Sequence, residues 1–354
     1  MLKTLPKLSA LCVLGCALGT LVLTGSRASF AQEGAKPMAV CATVPDLGSL
    51  AREVGGDQVS VTVFAKGTED AHFIEAKPSF IKTLSRCDLY IQTGMDLEIG
   101  WAPSLLQNAR NAAVLPGGRG YLDASRVIER LEVPTGPVDR SMGDVHPLGN
   151  PHYLLDPLNG LKVARLIRDK LIELRPARKP YFDNRYAAFH LRLGAALVGE
   201  TLARKYDADK LALLYEHGKL VLFLKGQGEV SLLGGWLGRM LPYVGIKVVA
   251  DHNMWPYFAR RFGITVIGFM EPKPGIPPTT KQLGMLVDLV RAERVGAILT
   301  VSYYDPRHAR FISQQTGARI VNLAHQPGAR DGTDDYLAMI DYNVRAIAAA
   351  LGGS

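Results

Sequence analysis

Met38-Ala39-Val40-Cys41-Ala42-Thr43-Val44 and Gln58-Val59-Ser60-Val61-Thr62-Val63-Phe64 bracket the segment Leu47–Val54. The outer runs are short and rich in β-branched residues, and the middle one has helical spacing. The three therefore read as strand, helix, strand. The alternation continues: Pro78–Leu84 reads as a helix opened by proline, Asp88–Gln92 as a strand and Gly100–Ala109 as a helix. Ala113–Leu115 and Tyr121–Asp123 read as short strand pieces. Strands alternating with helices imply βαβ units on a parallel sheet. Right-handed crossovers then set the loops after the strands along one edge.

Glu132–Pro151 is rich in Pro, Gly and Asp and is predicted to be a loop, and Asn159–Leu174 a helix. Lys179–Tyr206 is the longest helical candidate, with Pro180 near its first turn. At about 1.5 Å per residue it spans roughly 40 Å, more than one small lobe, which suits a helix crossing between lobes. A second alternating set follows. Strands are expected at Leu220–Lys225, Lys247–Ala250, Thr265–Gly268, Ala297–Val301 and Arg319–Leu323. Helices are expected at Leu232–Leu241, Trp255–Phe262, Thr280–Glu293, Pro306–Thr316 and Asp334–Leu351.

The length of 354 residues suggests two domains, and 47% apolar with 21% charged residues suits full globular cores. The net charge is +8, but Lys3, Lys7 and Arg27 lie in the first 31 residues; without them 38 basic face 33 acidic residues, about +5. The bases are scattered and not interleaved with aromatics, which argues against nucleic acid as a partner. Lys3 and Lys7 precede an almost unbroken apolar run from Leu8 to Leu23, and Ser29-Phe30-Ala31 offers small residues at a cleavage site. This predicts a signal peptide cleaved after Ala31 and a periplasmic product. Val13-Leu14-Gly15-Cys16 is an alternative lipobox, against which the continuing apolar run argues, and an uncleaved anchor is a third option. Of the remaining cysteines, Cys41 lies in the first strand and Cys87 opens another, so a disulfide and two buried thiols are both compatible.

Three histidines stand in separate, differently built contexts. His72 lies in Gly67-Thr68-Glu69-Asp70-Ala71-His72-Phe73-Ile74-Glu75-Ala76-Lys77-Pro78. His152 lies in Asn150-Pro151-His152-Tyr153-Leu154-Leu155-Asp156-Pro157, and His252 in Asp251-His252-Asn253-Met254-Trp255-Pro256-Tyr257-Phe258. His72 and His252 each follow a strand, where a scaffold holds loop residues in place. Imidazoles from loops this far apart meet only between structural units, so the chain reads as a metal-binding cleft. Glu75 is a candidate brace for His72, and Asp156 a helix cap. His146 is expected to be exposed, with a second-shell or metal-capture role as the alternative. His190, His217 and His308 are expected to be structural or exposed, and Trp101, Trp236 and Trp255 to be core or lobe-interface aromatics.

These blocks, with Asp88-Leu89-Tyr90-Ile91-Gln92-Thr93-Gly94-Met95-Asp96-Leu97-Glu98 and Tyr336-Leu337-Ala338-Met339-Ile340-Asp341-Tyr342-Asn343, resemble the periplasmic substrate-binding proteins of zinc and manganese ABC importers, over essentially the whole mature chain. The Asn-Pro-His-Tyr-x-x-Asp-Pro block is the most specific part. The resemblance implies an α/β fold of two lobes, each a parallel-type sheet flanked by helices, joined by one long rigid helix. The expected boundaries are 1–31 for the leader, 32–178 for the N-terminal lobe, 179–206 for the linking helix and 207–354 for the C-terminal lobe. It implies metal ligands at His72, His152 and His252. The family's fourth ligand is usually an aspartate after the last strand, but here Leu323 is followed by Ala324-His325-Gln326. His325, water, Glu271 or Asp305 are the candidates for that position.

The implied function is capture of a divalent cation and delivery to a cognate ABC permease in the inner membrane, by a monomer with no catalytic residues. Imidazole ligands favour Zn²⁺ over Mn²⁺, and a manganese- or iron-specific binder or a metal-dependent adhesin are the alternatives. A zinc hydrolase fits less well, since neither His-Glu-x-x-His nor Gly-x-Ser-x-Gly occurs. Histidine ligation further implies that affinity falls below about pH 6.5.

Overall fold

The computed structural model describes residues 36–136, 146–271 and 276–352. The leader, with Cys16 and the expected cleavage point after Ala31, lies outside the described residues, as does 137–145 of the expected loop. From Pro37 onward the chain forms one compact unit.

Two four-stranded, fully parallel sheets organise that unit. The first contains β1 (Met38–Ala42), β2 (Val59–Val63), β3 (Leu89–Gln92) and β4 (Tyr121–Asp123) in the order β2-β1-β3-β4. The second contains β5 (Lys247–Ala250), β6 (Thr265–Phe269), β7 (Ala297–Thr300) and β8 (Arg319–Asn322) in the order β6-β5-β7-β8. The strand order of one repeats in the other. Burial follows position: central β1, with Val40 opposite both Val61 and Leu89, is apolar nearly throughout, whereas edge strand β2 alternates. Such alternation is what a one-sided edge strand requires. In each sheet the connection reverses direction between the first and third strands, and ligands sit in the crevice beyond such a switch point.

The helices of the first half are α1 (Pro45–Gly55), α2 (Pro78–Leu84), α3 (Ala102–Ala109) and α4 (Pro157–Leu174). Then comes α5 (Lys179–Val198), 20 residues or about 30 Å long. It packs against α1 and α4 on one side and against the helices Ala208–Glu216 and Gly235–Met240 of the second half on the other, burying Phe182, Phe189, Leu193 and Leu197. The second half adds α6 (Glu200–Lys205), α7 (Ala208–Glu216), α8 (Leu220–Gln227), α9 (Gly235–Met240), α10 (Pro256–Phe262), α11 (Thr280–Ala292), α12 (Pro306–Thr316) and α13 (Tyr336–Leu351). One continuous apolar core runs from the first sheet through α5 to the second, and a smaller one lies on the outer face of each sheet.

Four expectations about elements are corrected. The helix expected over Lys179–Tyr206 stops at Val198, because Gly199 takes φ 91 and ψ 149, a conformation closed to other residues. Leu220–Lys225 is the start of helix α8 and not a strand; Leu220 and Leu224, four apart, are its buried pair, and an unbroken apolar run carries no period to tell the two apart. Ala113–Leu115 gives a single tight turn, Ala112–Val114, with the Asn111 side chain accepting from the Ala113 N–H at 3.2 Å. Helix Leu232–Leu241 shrinks to α9, preceded by a turn at Val230–Leu232. Cys41 and Cys87 are buried free thiols, and the Cys87 thiol donates to the Leu89 carbonyl at 3.0 Å.

Polar contacts tie the halves together around the loop that carries His152. Asp156 caps α4 by accepting from the Leu158 N–H at 2.9 Å, as the sequence predicts. The same carboxylate receives Arg261 Nε and Nη2 of α10 at 2.9 and 3.0 Å, fully buried. Asn150 Nδ2 donates to the Asn253 carbonyl at 2.8 Å, and the Leu131 N–H donates to Tyr257 Oη at 3.0 Å. Gly67, in the loop after β2, comes so close to the 327–329 backbone that a Cβ there would lie 2.2 Å from the Pro327 oxygen.

Candidate metal centre

His72 sits on a single turn, Ala71–Phe73, in the loop after β2. Asp70 caps that turn: one carboxylate oxygen accepts from the His72 backbone N–H at 3.0 Å and lies 2.7 Å from ring Nδ1. A proton held on Nδ1 leaves Nε2 as the bare, outward nitrogen, the usual second-shell arrangement of a ligating histidine. Asp70, not the exposed Glu75, is therefore the brace. His152 is set in the same way by Asn150, whose Oδ1 lies 3.0 Å from both the His152 backbone N and ring Nδ1. His252 follows β5 directly, and its Nδ1 is buried without a hydrogen-bond partner.

The structure draws these three rings together and adds a fourth. His72 Nε2 lies 3.0 Å from His146 Nε2. Ring centroids of His72 are 5.1 Å from His146 and 5.4 Å from His152, and His152 lies 6.2 Å from His252. Tetrahedral zinc with bonds of about 2.1 Å sets its nitrogens about 3.4 Å apart, so the His72–His146 pair already approaches the span of two ligands. Among the described residues no three His, Cys, Asp or Glu side chains already form a set able to hold a metal ion. The rings are gathered within 5.1 to 6.4 Å of one another in neighbouring pairs.

His325 follows β8 and shares a chamber with His152. It is buried, its ring meets Tyr303 edge-on at 5.0 Å, and its Nδ1 has no hydrogen-bond partner. With His152, Asp46, Thr93 and Gln326 it lines a chamber of about 30 Å³. Asp305 caps α12 through the Arg307 N–H at 2.9 Å and pairs with the Arg307 side chain. Glu271 is buried beyond β6, with its N–H donated to the Asp251 carbonyl at 2.7 Å. His190 pairs with Asp209 at 3.3 Å, and His217 is exposed. Trp101, Trp236 and Trp255 are buried, as expected.

Burial sets the protonation state. It lowers His146 to about 3, helped by the nearby His72 and His252, and lowers His252 to about 4 together with His72. Burial likewise brings His325 to about 4 and His152 well below the ordinary imidazole range. These imidazoles are neutral at pH 7, the form that binds metal. Burial also raises the carboxyl of Asp251, beside His252, to about 7, against the Val301 N–H that it accepts at 2.7 Å.

Three residues carry more weight in the structure than in the sequence reading: His146, offered there only as an alternative to an exposed residue, and Asp70 and Arg261, given no role. His146 sits in a segment without periodicity, so nothing local aims it at the site. Asp70 was signalled by its place two residues before His72, where a carboxylate caps a turn. Arg261 has no motif signal and is found only through its contact with Asp156.

A family model described as zinc-uptake complex component A, periplasmic, matches residues 40–206 and 238–350. Among curated proteins, the manganese ABC transporter substrate-binding lipoprotein PsaA of Streptococcus pneumoniae is 21% identical over 98% of this chain and 99% of its own length. The metal ABC transporter substrate-binding lipoprotein SloC of Streptococcus mutans is 23% identical over 89% and 90%. Among solved structures, a crystal structure of ZnuA superposes with a TM-score of 0.64 at 21% identity, covering 88% of this chain and 98% of that one. A Mn-bound periplasmic metal-binding protein from Candidatus Liberibacter asiaticus gives a TM-score of 0.61 at 16% identity, covering 88% and 98%.

Proposed function

Because the chain belongs to the periplasmic zinc-uptake component A family, we propose that it takes a divalent transition metal between its two sheets and hands it to the permease of an ABC importer. The family consists of substrate-binding transport components and not enzymes. The lobes of this reading are 32–178 and 207–354, turning about the long helix α5. The protein works outside the cytoplasm as a monomer, after cleavage at Ala31. PsaA and SloC are lipoproteins, which keeps acylation at Cys16 as the rival end state.

The ligands in this reading are His72, His152 and His252, with His146 closing the set and His325 as the competing fourth position. The observation that carries it is the 3.0 Å approach of His72 Nε2 to His146 Nε2, beside two further neutral imidazoles. An all-nitrogen set favours Zn²⁺, since Mn²⁺ prefers carboxylate and carbonyl oxygen. The manganese named for PsaA keeps Mn²⁺ as the second reading.

Calorimetric zinc titration of the five single His→Ala variants tests the set. Loss of His72, His146, His152 or His252 should weaken binding by well over tenfold, and His325→Ala should stay within about threefold of the parent. Unchanged affinity in the first four variants rejects the site. A loss at His325 with none at His146 exchanges the fourth ligand. Metal content of protein taken from its native compartment separates zinc from manganese.

A further inference from the structure

Residues 207–237 fall between the two stretches that the family model matches. They fold as the hairpin α7–α8 and the turn Val230–Leu232. This segment exposes Leu213, Val221, Leu222, Val230 and Leu232, and Leu222 is the most exposed large apolar side chain described, at 73%. On α8 and its cap, Lys219, Leu222 and Lys225 are spaced three apart, so they form one stripe with the leucine between two lysines. Both lysines are exposed, and neither has an ion pair among the described residues. The neighbouring acids are engaged elsewhere: Glu216 pairs with Arg260 and Arg261, and Glu229 with Lys205. The inward side of the hairpin is ordinary core, with Leu211, Tyr215, Leu220 and Leu224 buried.

We propose that this hairpin is a membrane-surface contact that lays Leu222 and Val221 into the headgroup region of an anionic bilayer. Exposed leucine flanked by unpaired lysine is the pattern of an interfacial helix. The apolar side chain enters the acyl boundary, and the ammonium groups reach back to acidic headgroups. A second copy of the chain fits less well, because a two-fold contact through this stripe would bring lysines against lysines. The inference uses the proposed function only in placing the chain beside a membrane. It would hold the metal-loaded protein near its permease by reducing the search to two dimensions.

The test is flotation of the chain from Gln32, without the apolar leader, on vesicles of phosphatidylglycerol and phosphatidylcholine in equal parts and on phosphatidylcholine alone. The parent should bind the mixed vesicles in a salt-sensitive way and bind neutral ones weakly. Lys219→Glu and Lys225→Glu should each weaken binding at least fivefold, from about 1 kcal/mol per basic residue. Leu222→Ser should weaken it at least tenfold, from about 1.5 kcal/mol or more per buried leucine. All three sites are exposed, so zinc binding should be unchanged, which separates failure of this inference from failure of the metal site. Equal binding to both vesicle types overturns the proposal, as does parent-like binding by all three variants. So does a dimer in sedimentation that Leu222→Ser dissolves without any vesicle binding.

Discussion

Replacing Asp70 tests whether the loop after β2 is built to present one nitrogen of His72. The carboxylate makes two contacts with the same residue, the backbone N–H at 3.0 Å and ring Nδ1 at 2.7 Å. Burial works against its charge, but the hydrogen bonds from His72 prevail and hold the carboxyl below its ordinary range. Asp70→Ala removes the cap, the ring partner and the charge together. A second-shell partner of this kind is worth about 10- to 100-fold in metal affinity, or about 1.4–2.7 kcal/mol. Asp70→Asn keeps an acceptor for both N–H groups and loses only the charge, so it should fall near the lower end. The assay is competition with a chromophoric chelator at pH 7.5. The sign with pH follows from the lowered carboxyl: its support is present above about pH 3.8 and is lost as pH falls through the folded value. The gap between parent and Asp70→Ala should therefore persist down to about pH 5. If Asp70→Ala binds zinc within about threefold of the parent while His72→Ala does not, Asp70 does not orient the ligand.

Acid should weaken the metal-free fold: His252 and His325 have folded values of about 4 against about 6.5 when unfolded, so each supplies up to ~3 kcal/mol that is lost as pH falls from about 6.5 toward 4. Urea unfolding of apo protein across that range measures it, and bound zinc should protect; a flat profile rejects buried neutral imidazoles. Zinc affinity should fall as pH drops below about 6.5, as histidine ligation implies, with His146 and His252, which take protons only near pH 3 to 4, contributing only at the acid end of that fall; a flat affinity between about pH 7.5 and 5.5 rejects histidine ligands. Arg261→Met leaves Asp156 buried and unpaired and should cost about 3–5 kcal/mol in denaturant unfolding, whereas Arg261→Met with Asp156→Asn should recover part of it. Gly67→Ala should destabilise the metal-free fold and weaken zinc binding, because a Cβ 2.2 Å from the Pro327 oxygen forces the two loops apart; parent-like unfolding and affinity would show that this contact matters to neither.

The parallel sheets were legible because every strand but β4 is short, carries β-branched residues and leads into a helix of different period, so two independent patterns agree along most of Met38–Asp123 and Lys247–Leu323. Errors fell where one pattern was missing. Leu220-Val221-Leu222-Phe223-Leu224 is apolar at every position, so a strand and a helix predict the same residues. The end of the long helix turned on Gly199, and a single glycine in a helical pattern costs only about 1 kcal/mol, too little to mark a break without its φ.

The site separates in the same way. His72, His152 and His252 stood out because each lies in a motif block of its own, and in the structure each is tied to a local device: Asp70 two residues before the first, Asn150 two residues before the second, and the end of β5 before the third. A residue whose direction is set by its own neighbours can be read from them. His146 has no such device. It is placed by what lies opposite, the bare nitrogen of His72, and by a hydrogen bond to the Met95 main chain, 51 positions earlier. His325 shows the converse: its place after the last strand was legible, and in the structure its ring meets Tyr303 edge-on while it shares a chamber with His152. Residues fixed by their own neighbours can thus be read from sequence, whereas His146 is placed only by contacts distant in the chain.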